Sequence, residues 1–113
     1  MKRTITYIAL LLLVFSCEKE KPAPVQPAGC VAKYSADIVP IITAKCALSG
    51  CHVSGSSFGD FTVYAELKQR ADNGRIQKNV FELKIMPPST QAQLTDEEKD
   101  KLKCWLDNDA PQD

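Results

Sequence analysis

The chain contains a single histidine, His52, which directly follows the second of two closely spaced cysteines, Cys46 and Cys51. The segment reads Cys-Ala-Leu-Ser-Gly-Cys-His. Two thiols followed by an imidazole match the covalent attachment of a haem, because the thiols add to two vinyl groups and the imidazole reaches the iron. A haem c bound here would give the side chains of a small domain a large apolar face to pack around.

The spacing of the two cysteines differs from the common attachment run, C-x-x-C-H. Here four residues separate them, giving C-x4-C-H. Since the porphyrin fixes the distance between its vinyl groups, the two extra residues must form a bulge. Gly tolerates backbone angles that other residues avoid, so Ser49-Gly50 is the predicted place for this bulge.

A distal iron ligand is predicted at Met86, in the run Met86-Pro87-Pro88. Apart from the initiator it is the only methionine. One His and one Met complete the ligand set of a six-coordinate haem iron, which leaves no open position for a substrate and favours electron transfer over enzymatic catalysis. The alternative is a core methionine in a loop, and the iron would then have an open face suited to a gas-binding haem protein.

Two alternatives without haem remain for Cys46, Cys51 and His52. A zinc site needs four ligands in a tetrahedral arrangement, and the adjacent side chains of Cys51 and His52 rarely point at one small ion. A Cys46–Cys51 disulfide is compatible with an exported chain. In that case the protein would be a haemless, disulfide-stapled lipoprotein that acts as an interaction module.

The first sixteen residues have the pattern of a targeting segment. Lys2 and Arg3 precede an apolar run, Ile5 to Phe15, that is shorter than the about 20 residues of a membrane-spanning helix. The run ends in Ser16-Cys17 and looks like a bacterial lipoprotein signal, which implies cleavage before Cys17 and lipidation of its sulfur. The alternative is an ordinary secretory signal in which Cys17 is incidental.

Residues 17–29 are predicted to form a lipidated cysteine followed by a proline-rich tether. The protein is therefore expected to be extracytoplasmic and anchored by lipid to a bacterial membrane, on its periplasmic or cell-surface side. Cleavage would leave 12 basic against 14 acidic residues. This balance and the lack of a basic cluster argue against nucleic acid as a partner and leave redox proteins as the expected partners of a monomer.

Residues 30–113 are predicted to form one haem domain, which is small enough to need a cofactor or a covalent staple. With Cys17 assigned to lipid and Cys46 and Cys51 to haem, Cys30 and Cys104 remain. They are a candidate disulfide that would close a long loop. The alternative is two free thiols.

Helical signals run through the domain, and no segment alternates with a period of two. Ser35 to Asp37 is expected to cap a first helix that tolerates Pro40 in its first turn and delivers Cys46 at its end. A second helix is predicted from Val63 to Ala71, ending near Asn73-Gly74, and a third over Ile76 to Leu83. A capping box, Thr95 to Glu98, begins the last helix, with Leu102, Trp105 and Leu106 as its apolar stripe.

Four segments carry a family resemblance: Tyr34-Ser-Ala-Asp37-Ile-Val-Pro40-Ile-Ile, Gly50-Cys51-His52, Met86-Pro87-Pro88 and Cys104-Trp105-Leu106-Asp-Asn-Asp-Ala110-Pro111. Together they resemble class I cytochrome c, and more narrowly the small monohaem cytochromes found in lipoprotein form in Bacteroidetes-type bacteria. The resemblance implies an all-α, cytochrome c-like fold of three to four helices around one covalently bound haem. It implies that the first and last helices cross, with Ile38 or Ile41 against Trp105 or Leu102, and that Cys30 comes towards Cys104.

Carried over residue by residue, Cys46 and Cys51 are the thioether positions, His52 is the proximal ligand and Met86 the distal one. The family often has a proline after the attachment run whose carbonyl orients the imidazole. Here Val53-Ser-Gly55 follows, so another backbone carbonyl or a water must hold the ring. Possible propionate partners are Arg70, Arg75 and Lys78, and candidates for the haem wall are Phe58, Phe61, Tyr64, Ile76, Val80, Phe81 and Ile85.

Overall fold

The structure is a computed structural model that describes residues 29–113. Within this range the chain is helical and has no strand, which confirms the all-α prediction. None of the described helices is long and apolar enough to cross a membrane. The predicted signal peptide, Cys17 and the tether up to residue 28 lie outside the described residues.

The first helix begins as a π-helical segment, Tyr34–Ile38, and continues directly as α1, Val39–Lys45. Pro40 stands at the start of α1. Proline cannot donate a backbone hydrogen bond and its ring crowds the preceding turn, and the wider π-helical turn before it relieves that crowding. Capping by Ser35 was wrong, because the helix begins one residue earlier and the Ser35 hydroxyl donates instead to the Asp113 carboxylate.

The middle of the domain contains α2, Tyr64–Asp72, and a second π-helical segment, Gln77–Glu82. Both were predicted to within one or two residues, and α2 ends at Asn73 as expected. Leu67 is fully buried, whereas Val63, which was assigned to the same apolar face, is 45% exposed. Val63 precedes α2 in an extended conformation, so helical spacing does not govern where its side chain points.

The last helix, α3, spans Asp96–Asp107 and has the predicted capping box. The Thr95 Oγ1 accepts from the Glu98 amide at 3.2 Å, and the Thr95 amide donates to Glu98 Oε2 at 2.8 Å. Three acidic residues in the first turn also favour this end of the helix dipole. Leu102 and Trp105 are buried and Leu106 is half-buried, as the apolar stripe predicted.

One hydrophobic core joins the two ends of the domain. It contains Ile38, Ile41, Ile42, Leu67, Ile76, Leu94, Leu102, Trp105 and Ala110. Trp105 is fully buried, and its indole N–H donates to the Pro111 carbonyl at 2.8 Å. The Tyr34 ring stacks on Trp105 with centroids 6.0 Å apart. The last helix therefore packs against the first π-helical segment, as the family resemblance implied.

A disulfide between Cys30 and Cys104 joins the segment that precedes the first π-helical segment to α3, with Cα atoms 6.0 Å apart. It joins residues 74 positions apart in the chain. The predicted pairing is thus the one found, and it ties the start of the described chain to α3 directly beside Trp105.

Candidate functional site

A cavity of about 400 Å³ brings together the four predicted haem-binding residues, Cys46, Cys51, His52 and Met86. They come from the end of α1, the loop after it and the loop before α3. Most of the remaining wall is apolar. It includes Ile42, Phe58, Phe61, Ile76, Val80, Pro87, Pro88 and Leu102.

The two cysteines are placed by a tight turn at the end of α1. The Cys46 amide donates to the Ile42 carbonyl at 2.9 Å and closes the helix. The Cys51 amide then donates to the Leu48 carbonyl at 2.9 Å, and the His52 amide reaches back to the Cys46 carbonyl at 3.2 Å. Gly50 has a φ of +78°, the left-handed conformation that Gly adopts at little cost. The chain therefore turns at Ser49-Gly50, where the sequence predicted a bulge.

The Cys46 and Cys51 thiols are both free. The structure therefore does not contain the alternative Cys46–Cys51 disulfide. Burial raises the pKa of the Cys46 thiol to about 11, with smaller contributions from Cys51 and Glu98. Among the described residues, no group of three or more His, Cys, Asp or Glu side chains is arranged to hold a metal ion. Cys46, Cys51 and His52 thus share a cavity without forming a zinc-type cluster.

Phe61 holds the His52 ring in place. Its ring lies parallel to the imidazole, with centroids 3.9 Å apart and planes 8° apart. The Phe61 amide also donates to the His52 carbonyl at 3.0 Å, so backbone and side chain fix the same pair. Phe58 approaches His52 edge-on at 6.5 Å, and these contacts leave the imidazole little rotational freedom.

Burial is the main effect on the pKa of His52 and lowers it. The Arg70 charge lowers this pKa further, whereas the backbone acceptors of Gly59 and Phe58 raise it. The His52 Nδ1 atom is buried without a hydrogen-bond partner. The Gly59 and Phe58 carbonyls are therefore close enough to act on the charge of the ring but do not reach Nδ1 with hydrogen-bond geometry. The backbone carbonyl expected to hold the imidazole is therefore not hydrogen-bonded to Nδ1.

Met86 lies in the loop between the second π-helical segment and α3, and its side chain is 38% exposed. The amides of Ile85 and Met86 both donate to the Asn79 carbonyl, at 2.9 and 3.2 Å. Pro87, which follows, is buried. The loop is thus held on both sides of Met86 and presents this residue to the cavity.

The cavity wall also contains three basic side chains. Arg70 and Arg75, two of the three predicted propionate partners, line it, whereas Lys78 does not. Lys45 lines it as well and was not singled out from the sequence. Its position directly before Cys46 was the signal that could have identified it, since both residues line the same cavity.

Four of the seven predicted wall residues line the cavity, namely Phe58, Phe61, Ile76 and Val80. Tyr64 does not, because its ring packs edge-on against Tyr34 at 4.9 Å and its hydroxyl donates to the Ala110 carbonyl at 2.9 Å. Phe81 faces a separate, smaller cavity behind Met86 and Pro87, and Ile85 is 53% exposed.

Comparison with protein-family models, with curated proteins and with solved structures yields no match for this chain. What it does is therefore inferred from its own residues. These residues fit a covalently bound haem in their chemistry, because two thiols, an imidazole and a thioether line one largely apolar cavity that also contains cations for carboxylates.

Proposed function

We propose that the chain is a monohaem c-type cytochrome, anchored by lipid to a membrane, that carries single electrons between extracytoplasmic redox partners. Cys46 and Cys51 would hold the haem through thioethers, and His52 and Met86 would be the axial ligands of the iron. The observation that carries the proposal is that these four residues, 40 positions apart at the extremes, line one cavity.

The haem supplies a metal that exchanges one electron without forming or breaking bonds to a substrate. His52 contributes a neutral imidazole, because burial lowers its pKa and so favours the form with a free nitrogen lone pair. The parallel Phe61 ring restricts its orientation. A ligand that is already neutral and oriented loses little freedom when it binds the iron.

Met86 contributes a thioether, which favours ferrous iron and raises the potential relative to a second imidazole. The apolar wall acts in the same direction, since a low-dielectric surrounding disfavours the additional charge of ferric iron. Arg70 and Arg75 are suited to the propionates because guanidinium groups pair well with carboxylates. These residues together describe an electron carrier with a comparatively high potential.

The helical arrangement supports a cytochrome c-like fold. The first helix delivers Cys46 at its end and packs through Tyr34 and Ile38 with α3 and Trp105. The loop with Met86 lies between the second π-helical segment and α3. This is the order of elements that the family resemblance implies: a first helix, the attachment segment, a loop with Met-Pro and a closing helix.

Anchoring is proposed from the N-terminal sequence. Cleavage before Cys17 followed by addition of two or more acyl chains would give a stable attachment, whereas one chain binds a membrane only marginally. The prolines between residues 19 and 29 favour an extended spacer. Such a spacer lets the haem domain reach partners that stand away from the lipid surface.

The proposal is tested on the full chain produced in a host that attaches haem, with Met86→Ala as the variant. We expect a low-spin spectrum for the unaltered protein and, in its ferric state, the weak long-wavelength band of iron–thioether ligation. Met86→Ala should lose that band and bind carbon monoxide rapidly when reduced. Redox titration of the unaltered protein should show a single reversible one-electron step.

Two results would replace the proposal with the other functions considered. A colourless protein would favour the haemless interaction module. A high-spin spectrum with rapid carbon monoxide binding in the unaltered chain would favour a gas-binding haem protein, for which Met86 would be a loop residue only.

A further inference from the structure

The loop after Met86 begins with two residues that lack backbone hydrogen-bond donors. Pro87 and Pro88 have no N–H to donate, so the two residues after Met86 add only carbonyl acceptors to the loop. The Pro88 carbonyl accepts from the Gln91 amide at 2.9 Å. Backbone carbonyls need hydrogen-bond donors, so a side chain that donates to the Pro87 and Pro88 carbonyls would fix the turn that follows Met86.

Gln93 supplies these donors from a single amide. Its Nε2 atom lies 3.2 Å from the Pro87 carbonyl, 2.8 Å from the Pro88 carbonyl and 2.9 Å from the Gln91 carbonyl. Two amide hydrogens are thus shared among three acceptors that surround the turn. Each such bond contributes modestly in a partly solvated position, but three on one group fix the shape of the turn.

The backbone of Gln93 is itself tied to the attachment segment. Its carbonyl accepts from Lys45 Nζ at 3.0 Å, and Lys45 is the last residue of α1, directly before Cys46. Lys45 also pairs with Glu98 at 3.6 Å, the residue that completes the capping box of α3. Both side chains of this pair are largely shielded, at 17% and 24% exposure. We call this linked set, Lys45, Gln93 and Glu98, the loop brace.

We propose that Gln93 is a positioning residue for the distal ligand: its amide holds the Pro87-Pro88 turn so that Met86 stays in the cavity, and Lys45 ties this turn to the segment that carries Cys46. The inference rests on the proposed function, because it assigns the loop brace to the ligand of the haem iron. It adds a residue that contacts neither the iron nor the cavity centre and acts through Met86.

The brace predicts how readily Met86 gives up the iron to an added ligand. When Gln93 cannot donate, the turn loses its fixed shape. The free-energy difference that favours iron-bound over dissociated Met86 then becomes smaller. An external ligand should then displace Met86 at lower concentration. A residue that only stabilised the fold would change the free energy of unfolding without changing this exchange.

The test is a titration of the ferric, haem-loaded full chain with imidazole, following loss of the iron–thioether band. We expect Gln93→Leu to lower the apparent dissociation constant about tenfold, equivalent to about 1.4 kcal/mol. Lys45→Met should lower it by a smaller factor. The matched control is Gln69→Leu, on the exposed face of α2, which should leave the constant unchanged.

The inference is overturned if Gln93→Leu carries haem and binds imidazole with the same dissociation constant as Gln69→Leu. A lower denaturation midpoint with an unchanged dissociation constant overturns it as well. If Gln93→Leu does not accumulate, Gln93→Asn keeps the amide but is one methylene too short to reach the prolines, and the same comparison applies. Failure of the proposed function is separate, because the unaltered chain would then lack covalent haem or the thioether band.

Discussion

His52 and Phe61 lie face to face, with ring centroids 3.9 Å apart and planes 8° apart. The Phe61 amide donates to the His52 carbonyl, so the eight-residue loop between them, residues 53–60, returns to its starting point. This closed loop, and not a regular helix, orients the imidazole towards the cavity. Under the proposed function, this aromatic contact would orient the ligand of the iron where the family often has a proline.

The aromatic contact should stabilise the folded domain measurably. Phe61→Leu keeps an apolar side chain but removes the stacked ring, and an aromatic pair contributes about 1 kcal/mol beyond its buried area. We expect the free energy of unfolding, measured by urea denaturation, to fall by about this amount. Phe58→Leu is the control, because Phe58 is 65% exposed and meets His52 only at its edge. Equal losses in both variants would contradict the role of the stack.

The disulfide should contribute substantially to the stability of the domain. Cys30 and Cys104 close a loop with a sequence separation of 74, for which the chain-entropy relation gives about 4 kcal/mol. The double variant Cys30→Ser with Cys104→Ser should therefore unfold at much lower urea concentration. Reduction of the unaltered protein should shift its midpoint to the same value. An unchanged midpoint after confirmed reduction would show that α3 stays docked without the bond.

Gly50 should be required for the bulge in the attachment segment. Its φ of +78° is left-handed, and a Cβ there meets no neighbour within 4 Å, so Gly50→Ala should be strained only through its backbone. We expect a loss of about 1 kcal/mol in unfolding free energy. Ser49→Ala, at the exposed neighbouring position, is the control and should be close to neutral. A neutral Gly50→Ala would mean that the bulge adopts another conformation.

Asp113 should make stability depend on pH at the acid end. The hydroxyl and the amide of Ser35 donate to its carboxylate and hold its pKa below the ordinary value. Since the folded pKa is depressed, this contribution is present above the unfolded pKa and is lost as the pH falls through the folded one. Asp113→Asn should therefore lower the urea midpoint at neutral pH. The difference from the unaltered protein should disappear once the folded carboxyl is protonated, and a difference that persists there would contradict this assignment.

Local signals predicted the helices well, because their causes lie within a few residues. Thr95 and Glu98 form the capping box that their spacing indicates, and Asn73 ends α2. The start of the first helix was mistaken because the Ser35 hydroxyl binds Asp113, 78 positions away. A contact of that separation leaves no periodic trace in the sequence.

The site was predicted in the same uneven way. Cys46, Cys51 and His52 lie close together in sequence, and Met86 was added from its residue type and the prolines after it; all four line one cavity. Tyr64 was misassigned to the cavity because its partner, the Ala110 carbonyl, belongs to the C-terminal end of the domain. The three contacts of Gln93 were not predicted, since glutamine in a loop has no distinctive pattern and its acceptors become neighbours only when the turn forms.

The central claim is that the haem is bound covalently through Cys46 and Cys51. The most direct measurement is acid–acetone extraction of the full chain matured in a haem-attaching host, followed by the alkaline pyridine haemochrome spectrum of the polypeptide. The account predicts that the colour stays with the protein, that the spectrum is that of a haem with two thioether bonds, and that Cys51→Ala shifts it to that of one. A colourless chain, or haem that is removed by the extraction, would contradict it.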